Sequence, residues 1–528
     1  MDCQSETAPA PAPRGPAHRV LFLDCSARGL VAFPQGLLQL GDLEELHLEK
    51  NHIRAIPPEI RLLQKLKVLY LQDNRLECVC EELGSLAHLR SLDLSINPVA
   101  ENAQRPLLAV VQRLTELREL RVHGLGLIEL SPGICKTLHK LELLGLSCNH
   151  LASLPAEITN LRYLREIYLG GNRLEALPVV LGELPCLQIV DVSQNLLASL
   201  PDGSCGCSWR KLFLASNNIT SFPKSFCQLR QVAILDLSHN GLTRLPRPFH
   251  TLTSLVELSF SDNPLQTFPS QISQLPLLQV LYLRNAQLSA LHPDFGLLQR
   301  LQVLDLSQNQ FAEFPTEICS LSCLEQLSLD DNYLEKIPVC IQGLSMLKCL
   351  GLTGNQFSFF PEAVCCLRSL EKLYLGQDQG LKLTSVHQSI SQLHSLRELY
   401  LDNNDIKCLP ESIGNLKTLE ILDCHNNKLE TIPDTLCHLS GGNPLTDPPS
   451  EVCEQGLAAI HLYLQEKARL LTKTIQIQAW WRGTMVRRRL GPFNCLESSK
   501  KGKEKKVKDK KKKNPASRDK KGTTRKRK

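Results

Sequence analysis

The feature that most constrains this chain is a short grammar, clearest at Leu301-Gln302-Val303-Leu304-Asp305-Leu306-Ser307-Gln308-Asn309-Gln310-Phe311-Ala312-Glu313-Phe314-Pro315. The pattern L-x-x-L-x-L-x-x-N-x-L-x-x-L-P recurs about every 23 residues, from near the N-terminus to about residue 433. Asn240, Asn263, Asn309, Asn332 and Asn355 fall on its register, and Ala286 takes the slot between Asn263 and Asn309. A unit this short cannot bury a core alone, so it must stack on its neighbours as a solenoid. In each unit the L-x-L segment predicts a strand with its leucines inward and the intervening residue outward. The asparagine follows at the turn, where its amide can bond backbone groups of adjacent turns and form a ladder through the interior. The next leucine and the Leu-Pro pair lead into a convex segment of one or two helical or 3₁₀ turns, which proline starts cheaply.

Composition sets bounds around that core. The 42% hydrophobic content suffices for a continuous core, and 5% aromatic content fits one built from leucine. No apolar run approaches the roughly 18 residues needed to span a membrane, and Met1–Glu6 has no basic or apolar leader character, so neither a transmembrane segment nor a secretory signal is expected. The 21 cysteines are an odd number and are scattered: Cys25 and Cys424 replace core leucines, while Cys227, Cys319 and Cys365 lie near the ends of convex segments. That is the distribution of free thiols used as small hydrophobes, and it points to the cytoplasm or nucleus. The net charge of +6 is unevenly placed. From Lys500 onward there are about 17 basic against 3 acidic residues, so the repeats are acidic and the tail strongly basic.

The register slips in particular places. Asn97 to Asn149 spans two stretched units, with extra length at Glu101–Pro106 that predicts a longer convex helix, and Leu125 in the asparagine slot. Leu23-Asp24-Cys25 supplies a divergent first strand, with Arg28 in the asparagine slot. Cys205-Gly206-Cys207 marks a unit one residue short, with Trp209 in a leucine slot. Asp378 replaces asparagine before a longer step, and after Asn427 the chain reaches Asn443-Pro444 about seven residues early. The expected layout is a proline- and alanine-rich disordered segment at 1–18 and a solenoid at 19–449. A capping helix follows at 450–472, a further helix at 473–492, and a disordered lysine-rich tail at 493–528. Ser450 is the predicted N-cap of the capping helix, and Val452, Leu457, Ile460, Leu464 and Leu470 give its apolar stripe.

The repeat, the Asn443-Pro444 and Pro448-Pro449 pairs and the closing helix resemble the Ras-group type of leucine-rich repeat. The resemblance covers about four fifths of the chain and implies an α/β leucine-rich-repeat solenoid, a horseshoe with a parallel concave sheet. For function the fold says little.

A second motif, Ile477-Gln478-Ala479-Trp480-Trp481-Arg482-Gly483-Thr484-Met485-Val486-Arg487-Arg488-Arg489-Leu490, resembles the IQ motif at every position. With the repeats, it makes the chain similar to leucine-rich repeat and IQ motif-containing proteins, and the resemblance implies calmodulin or a calmodulin-like light chain as partner. Independently of that likeness, Ile477, Trp481 and Met485 stand four apart on one helical face, and Leu490 lies about 220° round from Ile477. Arg482, Arg487, Arg488 and Arg489 suit an acidic partner. Gly483 lets that partner approach the backbone, and Gln478 can bond to the partner's exposed peptide groups. The competing reading is that 473–490 continues the capping helix with its basic face in water. The lysine-rich tail lacks aromatic residues after Phe493, which argues against sequence-specific nucleic-acid binding and leaves a solubilising tail, nuclear import, acidic tubulin tails or anionic lipid open.

The outward residues between the strand leucines read Tyr70, Asp93, Tyr168, Asp191, Phe213, Asp236, Tyr282, Asp305, Tyr374, Tyr400 and Asp423. The aspartates read as structural. Tyr168, Phe213, Tyr282, Tyr374 and Tyr400 are the candidate surface for an unidentified protein partner, because aromatic residues are enriched in interface hot spots. No phosphate-binding loop, kinase, H-E-x-x-H or G-x-S-x-G signature is present. Cys78-Val79-Cys80 and Cys205-Gly206-Cys207 lack zinc spacing. No catalytic residue, cofactor or metal is therefore expected. The resulting expectation is a non-enzymatic interaction scaffold. Resemblance alone adds two alternatives: a regulator of small GTPase or phosphatase signalling, and a component of cilia or flagella.

Overall fold

The computed structural model describes residues 19–202, 208–377 and 380–429, with Pro433, Glu451, Val452, Gln455, Ala459, Leu462 and Tyr463. The chain divides into two compact units, 1–468 and 469–528, and every described residue belongs to the first. The expectations for 1–18, for most of the capping helix including Ser450, for 473–492 and for the tail lie outside the described residues.

The repeat grammar becomes one sheet of 18 parallel strands, each of three residues, running from Phe22–Asp24 to Ile421–Asp423. Each strand pairs with the next along the chain one unit on, as in Val303↔Gln326, Leu304↔Leu327 and Asp305↔Ser328. The strand is centred on the first leucine of L-x-L instead of spanning both. Leu304 sits mid-strand and Leu306 just beyond it, and both are buried. The residues flanking the central leucine point to the opposite side of the sheet, as a strand's period of two requires.

The second leucine leads into a tight turn with one backbone feature that the grammar does not spell out. In nearly every unit the residue immediately before the asparagine slot has positive φ: Lys50, Asp73, Ile96, Cys148, Gln194, Ser216, His239, Asp262, Gln308, Asp331, Asn403 and Asn426, with Gly124, Gly171 and Gly354 in the same role. Left-handed backbone costs an ordinary residue about 1–2 kcal/mol. Part of that is offset by a bond from its N–H to the neighbouring unit, as in Lys50 N to Gln72 O at 3.0 Å and Gln308 N to Asp330 O at 2.8 Å.

The asparagine ladder forms as expected. In a regular unit such as Asn332, Nδ2 donates to Leu306 O and Leu329 O, each at 3.0 Å, and Oδ1 accepts from Phe311 N at 3.1 Å. Each side chain thereby satisfies buried peptide groups of its own turn and of the previous one. Where Ala286 fills the slot, the preceding turn folds back on itself: Leu265 N bonds Asn263 O at 2.9 Å, and Gln266 takes positive φ. Where Leu125 fills it, Gln104 on the helix Glu101–Val111 reaches across to Leu125 O and Gly126 O at 3.2 and 3.1 Å. That helix is the expected lengthening after Glu101, and it runs through Pro106.

Most convex segments are five-residue 3₁₀ turns. Proline usually stands just before the first turn residue, where its carbonyl accepts the first bond, as in Ile60 N to Pro57 O at 3.0 Å and Ile318 N to Pro315 O at 3.2 Å. The third residue of the turn is buried, fully so at Ile60, Ile318 and Phe249. The core is not leucine alone. Phe222, Phe226, Phe249, Phe260, Phe268 and Phe295 form edge-on and tilted contacts with centroids 5.2–6.1 Å apart. Trp209, 1% exposed, joins Phe226 at 6.5 Å where the unit is one residue short. Large rings fill the volume that leucines fill elsewhere.

Candidate functional site

Because the strands pair in register, the first and third residue of each strand form two continuous columns on the outer face of the sheet. The aspartates of the third column are structural, as their sequence context implies. Asp305 Oδ1 accepts from Ser307 N at 2.9 Å and from Ser307 Oγ at 2.6 Å. Asp191 and Asp236 make the same pair of bonds with Ser193 and Ser238. Asp93 accepts from Ser95 N, and Asp423 from His425 N. Burial raises the carboxyls of Asp191, Asp236 and Asp305 above their ordinary value, and the serine bonds oppose that rise.

The five candidate aromatic residues separate by exposure. Phe213 and Tyr282 are each only 8% exposed and chiefly pack the sheet's own surface. Tyr168 is half-buried, its hydroxyl donating to Glu166 Oε2 at 2.8 Å. Tyr374 and Tyr400, third residues of Lys372–Tyr374 and Glu398–Tyr400, are half-buried and stacked, with centroids 4.7 Å apart and planes 10° from parallel. Glu398 ties this pair to its surroundings, accepting from Tyr400 Oη at 3.3 Å and pairing with Lys372 Nζ at 2.6 Å. Burial, with Cys349 beside Tyr374 and Glu398 beside Tyr400, raises both phenols far above their usual range, so they stay neutral hydrogen-bonding groups.

Two features of this end escape a reading of the outward leucine-flanked slots. Gly351 and Gly376 leave room that a β-carbon would take from the carboxylates of Asp330 and Asp402. Asp330 is held there by Thr353 N and Ser328 Oγ, each at 2.8 Å. The signal in the sequence was glycine beside a core leucine in a β-run, at Leu350-Gly351-Leu352 and Leu375-Gly376, which marks close approach of another group. Tyr374 and Tyr400 thus lie in a neighbourhood containing Asp330, Glu398, Asp402 and Asp423, with Lys372 as a neighbouring cation.

A second aromatic group lies at the opposite end of the sheet. Phe22 meets His47 edge-on at 5.2 Å, and His47 meets Tyr70 at 4.8 Å. His47 also bonds Glu45 at 2.8 Å. Nearby, Arg121 Nη1 pairs with Glu119 at 2.9 Å, and Ser91 Oγ donates to the same carboxylate at 3.0 Å. His123 Nδ1 accepts from Ser147 N at 3.0 Å, and burial beside Arg121 lowers its pKa to about 4. Gly145 makes room for that imidazole. Of this group Tyr70 alone stands among the outward residues given above; His47 and Arg121 occupy the same slot, the third residue of Glu45–His47 and Glu119–Arg121, as neither tyrosine nor aspartate.

Among the described residues no group of three or more histidines, cysteines, aspartates or glutamates is arranged to hold a metal ion. Among them, too, no helix is long and apolar enough to cross a membrane. The calmodulin-binding candidates Ile477, Gln478, Trp481, Arg482, Gly483, Met485, Arg487 and Leu490 lie outside the described residues.

Comparison with known proteins follows the repeats. A leucine-rich repeat region matches residues 272–398, and leucine rich repeats match 42–99, 115–174, 185–242 and 394–440. The chain is 51% identical over 160 residues to leucine-rich repeat and IQ domain-containing protein 4 of Mus musculus, covering 30% of this chain and 26% of that one. It is 46% identical over 160 residues to the protein of that name from Homo sapiens, covering 30% and 28%. The chain therefore spans little more than a quarter of the length of these relatives. Among solved structures, the Arabidopsis receptor kinase HAESA, in complex with the peptide hormone IDA and the co-receptor SERK1, aligns over 81% of each chain. Its TM-score is 0.50 at 22% identity, a likeness of fold alone. The repeat matches together span more than half of the sequence and coincide with the parallel sheet and asparagine ladder, and the chain belongs to the leucine-rich-repeat proteins.

Proposed function

We propose that this chain is a non-enzymatic interaction scaffold that holds one protein partner on its outer sheet face and calmodulin, or a calmodulin-like light chain, at Ile477–Leu490. The Tyr374–Tyr400 stack carries the first half of the reading. Two parallel, half-buried rings on adjacent strands form a rigid shelf, and tyrosine offers large contact area at little entropic cost. The carboxylates around the shelf favour a cationic segment, whose guanidinium or ammonium groups can lie over the rings and pair with the acids. The IQ-type spacing supports the second half, together with the IQ domain in the names of the two similar proteins from Mus musculus and Homo sapiens. Scattered free thiols, buried or half-buried in several units, support a reducing compartment, the cytoplasm.

The test uses the full chain. Calmodulin is titrated into it with calcium and with chelator, beside an Ile477→Ala/Arg482→Ala variant. Binding that the double change removes is the expected result, whereas no binding in either condition returns 473–490 to a cap. In parallel, proteins retained by the wild type are compared with those retained by Tyr374→Ala/Tyr400→Ala. A partner lost from this variant but kept by the Ile477/Arg482 variant identifies the occupant of the shelf. If the tyrosine variant retains every partner of the wild type, the shelf is not the binding surface.

A further inference from the structure

On the convex side, two consecutive 3₁₀ turns, Thr316–Ser320 and Val339–Gly343, bring Cys319 and Cys340 together with their sulfurs 2.6 Å apart. That separation exceeds a disulfide bond by only about half an ångström. We infer that Cys319 and Cys340 are a redox modification site, closing to a disulfide between neighbouring units when the chain meets a peroxide and reopening by exchange with a small thiol.

Three observations beyond the distance support a dithiol and not a packing accident. Cys340 is exposed, and the same turn position elsewhere holds Glu59, Glu157, Gln271, Glu317 or Ser412, so a thiol there fills no core volume. Cys319 is half-buried behind it, an arrangement in which one sulfur meets the oxidant and the other stands ready to resolve the product. Gly343 permits the approach, because a β-carbon there would overlap the Cys319 carbonyl. The corresponding residue of the preceding turn is Ser320, so the glycine is specific to the turn that carries Cys340. The same diagonal contact recurs between later turns as Cys365 with Ser389, where no second sulfur is available. Burial and the neighbouring sulfur push the Cys319 thiol up to about 12, which keeps it protonated and leaves the first attack on the oxidant to the exposed Cys340.

The chemistry balances in two steps. The Cys340 sulfur attacks a peroxide oxygen, the O–O bond breaks, and Cys340 sulfenic acid and water form. The Cys319 sulfur then attacks the Cys340 sulfur, water leaves with the thiol proton, and the S–S bond closes. The peroxide has accepted two electrons. Two equivalents of a thiol such as glutathione reverse the bond and leave as their own disulfide. The closed form ties adjacent convex turns together across a short loop and restricts flexing between those units.

The test treats the full-length protein with dilute hydrogen peroxide, alkylates the remaining thiols and maps peptides without reduction. The expected product links the peptides of Cys319 and Cys340, is lighter by two hydrogens (about 2 Da), and disappears on reduction. With dimedone present during oxidation, Cys319→Ser should raise trapping at Cys340 at least about tenfold over wild type, since nothing then resolves the sulfenic acid. Cys340→Ser should leave Cys319 reduced. Circular-dichroism melts of both variants establish that each is folded. The inference is overturned if both thiols remain fully alkylated while exposed Cys408 is oxidised. It is also overturned if Cys340 traps dimedone equally with and without Cys319.

Discussion

The irregularity at Ala286 makes one position of the asparagine ladder unequal to the others, and the inequality can be measured. When Asn332 is replaced by alanine, Leu306 O keeps a donor in Asn309 at 2.9 Å and Leu329 O keeps Asn355 at 2.9 Å. Only Phe311 N loses its acceptor. Asn309 has no such backup on one side. Leu283 O receives Asn309 Nδ2 at 2.8 Å and, with alanine at 286, has no amide from its own turn. Ala286 N and Leu288 N both donate to Asn309 Oδ1 at 3.0 Å. Asn309→Ala therefore orphans three buried peptide groups, against one for Asn332→Ala. At about 1–2 kcal/mol for each group left unsatisfied, the first costs about 3–6 kcal/mol and the second about 1–2. The side-chain volume removed is the same, so the cavity contribution cancels in the comparison. Urea unfolding followed by circular dichroism gives the two costs, and hydrogen exchange over 281–311 localises the opening. Adding Ala286→Asn to Asn309→Ala should recover part of the loss, because an amide at 286 can reach Leu283 O. If Asn309→Ala and Asn332→Ala agree within about 0.5 kcal/mol, counting orphaned groups is the wrong account of this ladder.

Two further perturbations follow from single residues. His123, held near 4 by burial and Arg121, binds its proton more weakly folded than unfolded, where the ordinary value is 6.5. The stability it contributes is present above pH 6.5 and is lost as pH falls toward 4, by about 2–3 kcal/mol at most. Melts across that window should show a shallower decline for His123→Gln, and an unchanged slope would refute the assignment. Ile96 is a β-branched residue at φ 56°, 61% exposed, in the left-handed slot that glycine or asparagine occupies in other units. Ile96→Asn should stabilise the chain by about 1 kcal/mol, read as a raised melting temperature, and destabilisation would show that the isoleucine makes a contact worth more than its strain.

The fold was largely legible because one grammar fixes three things at once. The leucines set the buried face, the asparagine sets the turn, and the repeat length sets the pairing register. Even the departures were readable: the extra residues after Glu101 became a helix, and the missing residue before Trp209 became a buried indole. What the sequence concealed were consequences of backbone geometry. The left-handed residue before each asparagine carries no common side chain, being lysine, aspartate, isoleucine, cysteine or glutamine in turn. The phenylalanine contacts between Phe222 and Phe295 depend on which convex turns face each other, and no local pattern states that. The nearness of Cys319 and Cys340 is of the same kind, since 21 residues separate two unremarkable cysteines that stacking makes neighbours.

For the candidate site, the useful division is between side chains the fold consumes and side chains it leaves for a partner. Most of the outward aspartates are consumed, because each bonds the backbone two residues on, so their charge is part of the turn. Phe213 and Tyr282 are largely consumed by packing. Tyr374 and Tyr400 remain, since their stacked rings keep part of their faces available and their hydroxyls stay neutral. The glycines at 351 and 376 belong to the same account. By omitting a side chain they give space to Asp330 and Asp402, carboxylates outside the Leu-Asp-Leu-Ser pattern. A partner docked on Tyr374 and Tyr400 would therefore meet rings beside carboxylates that the fold already holds in place, such as Asp330 on Thr353 N and Ser328 Oγ. On the proposed scaffold reading, that combination would favour a cationic segment with planar or extended side chains, one rich in arginine over one rich in aliphatic residues.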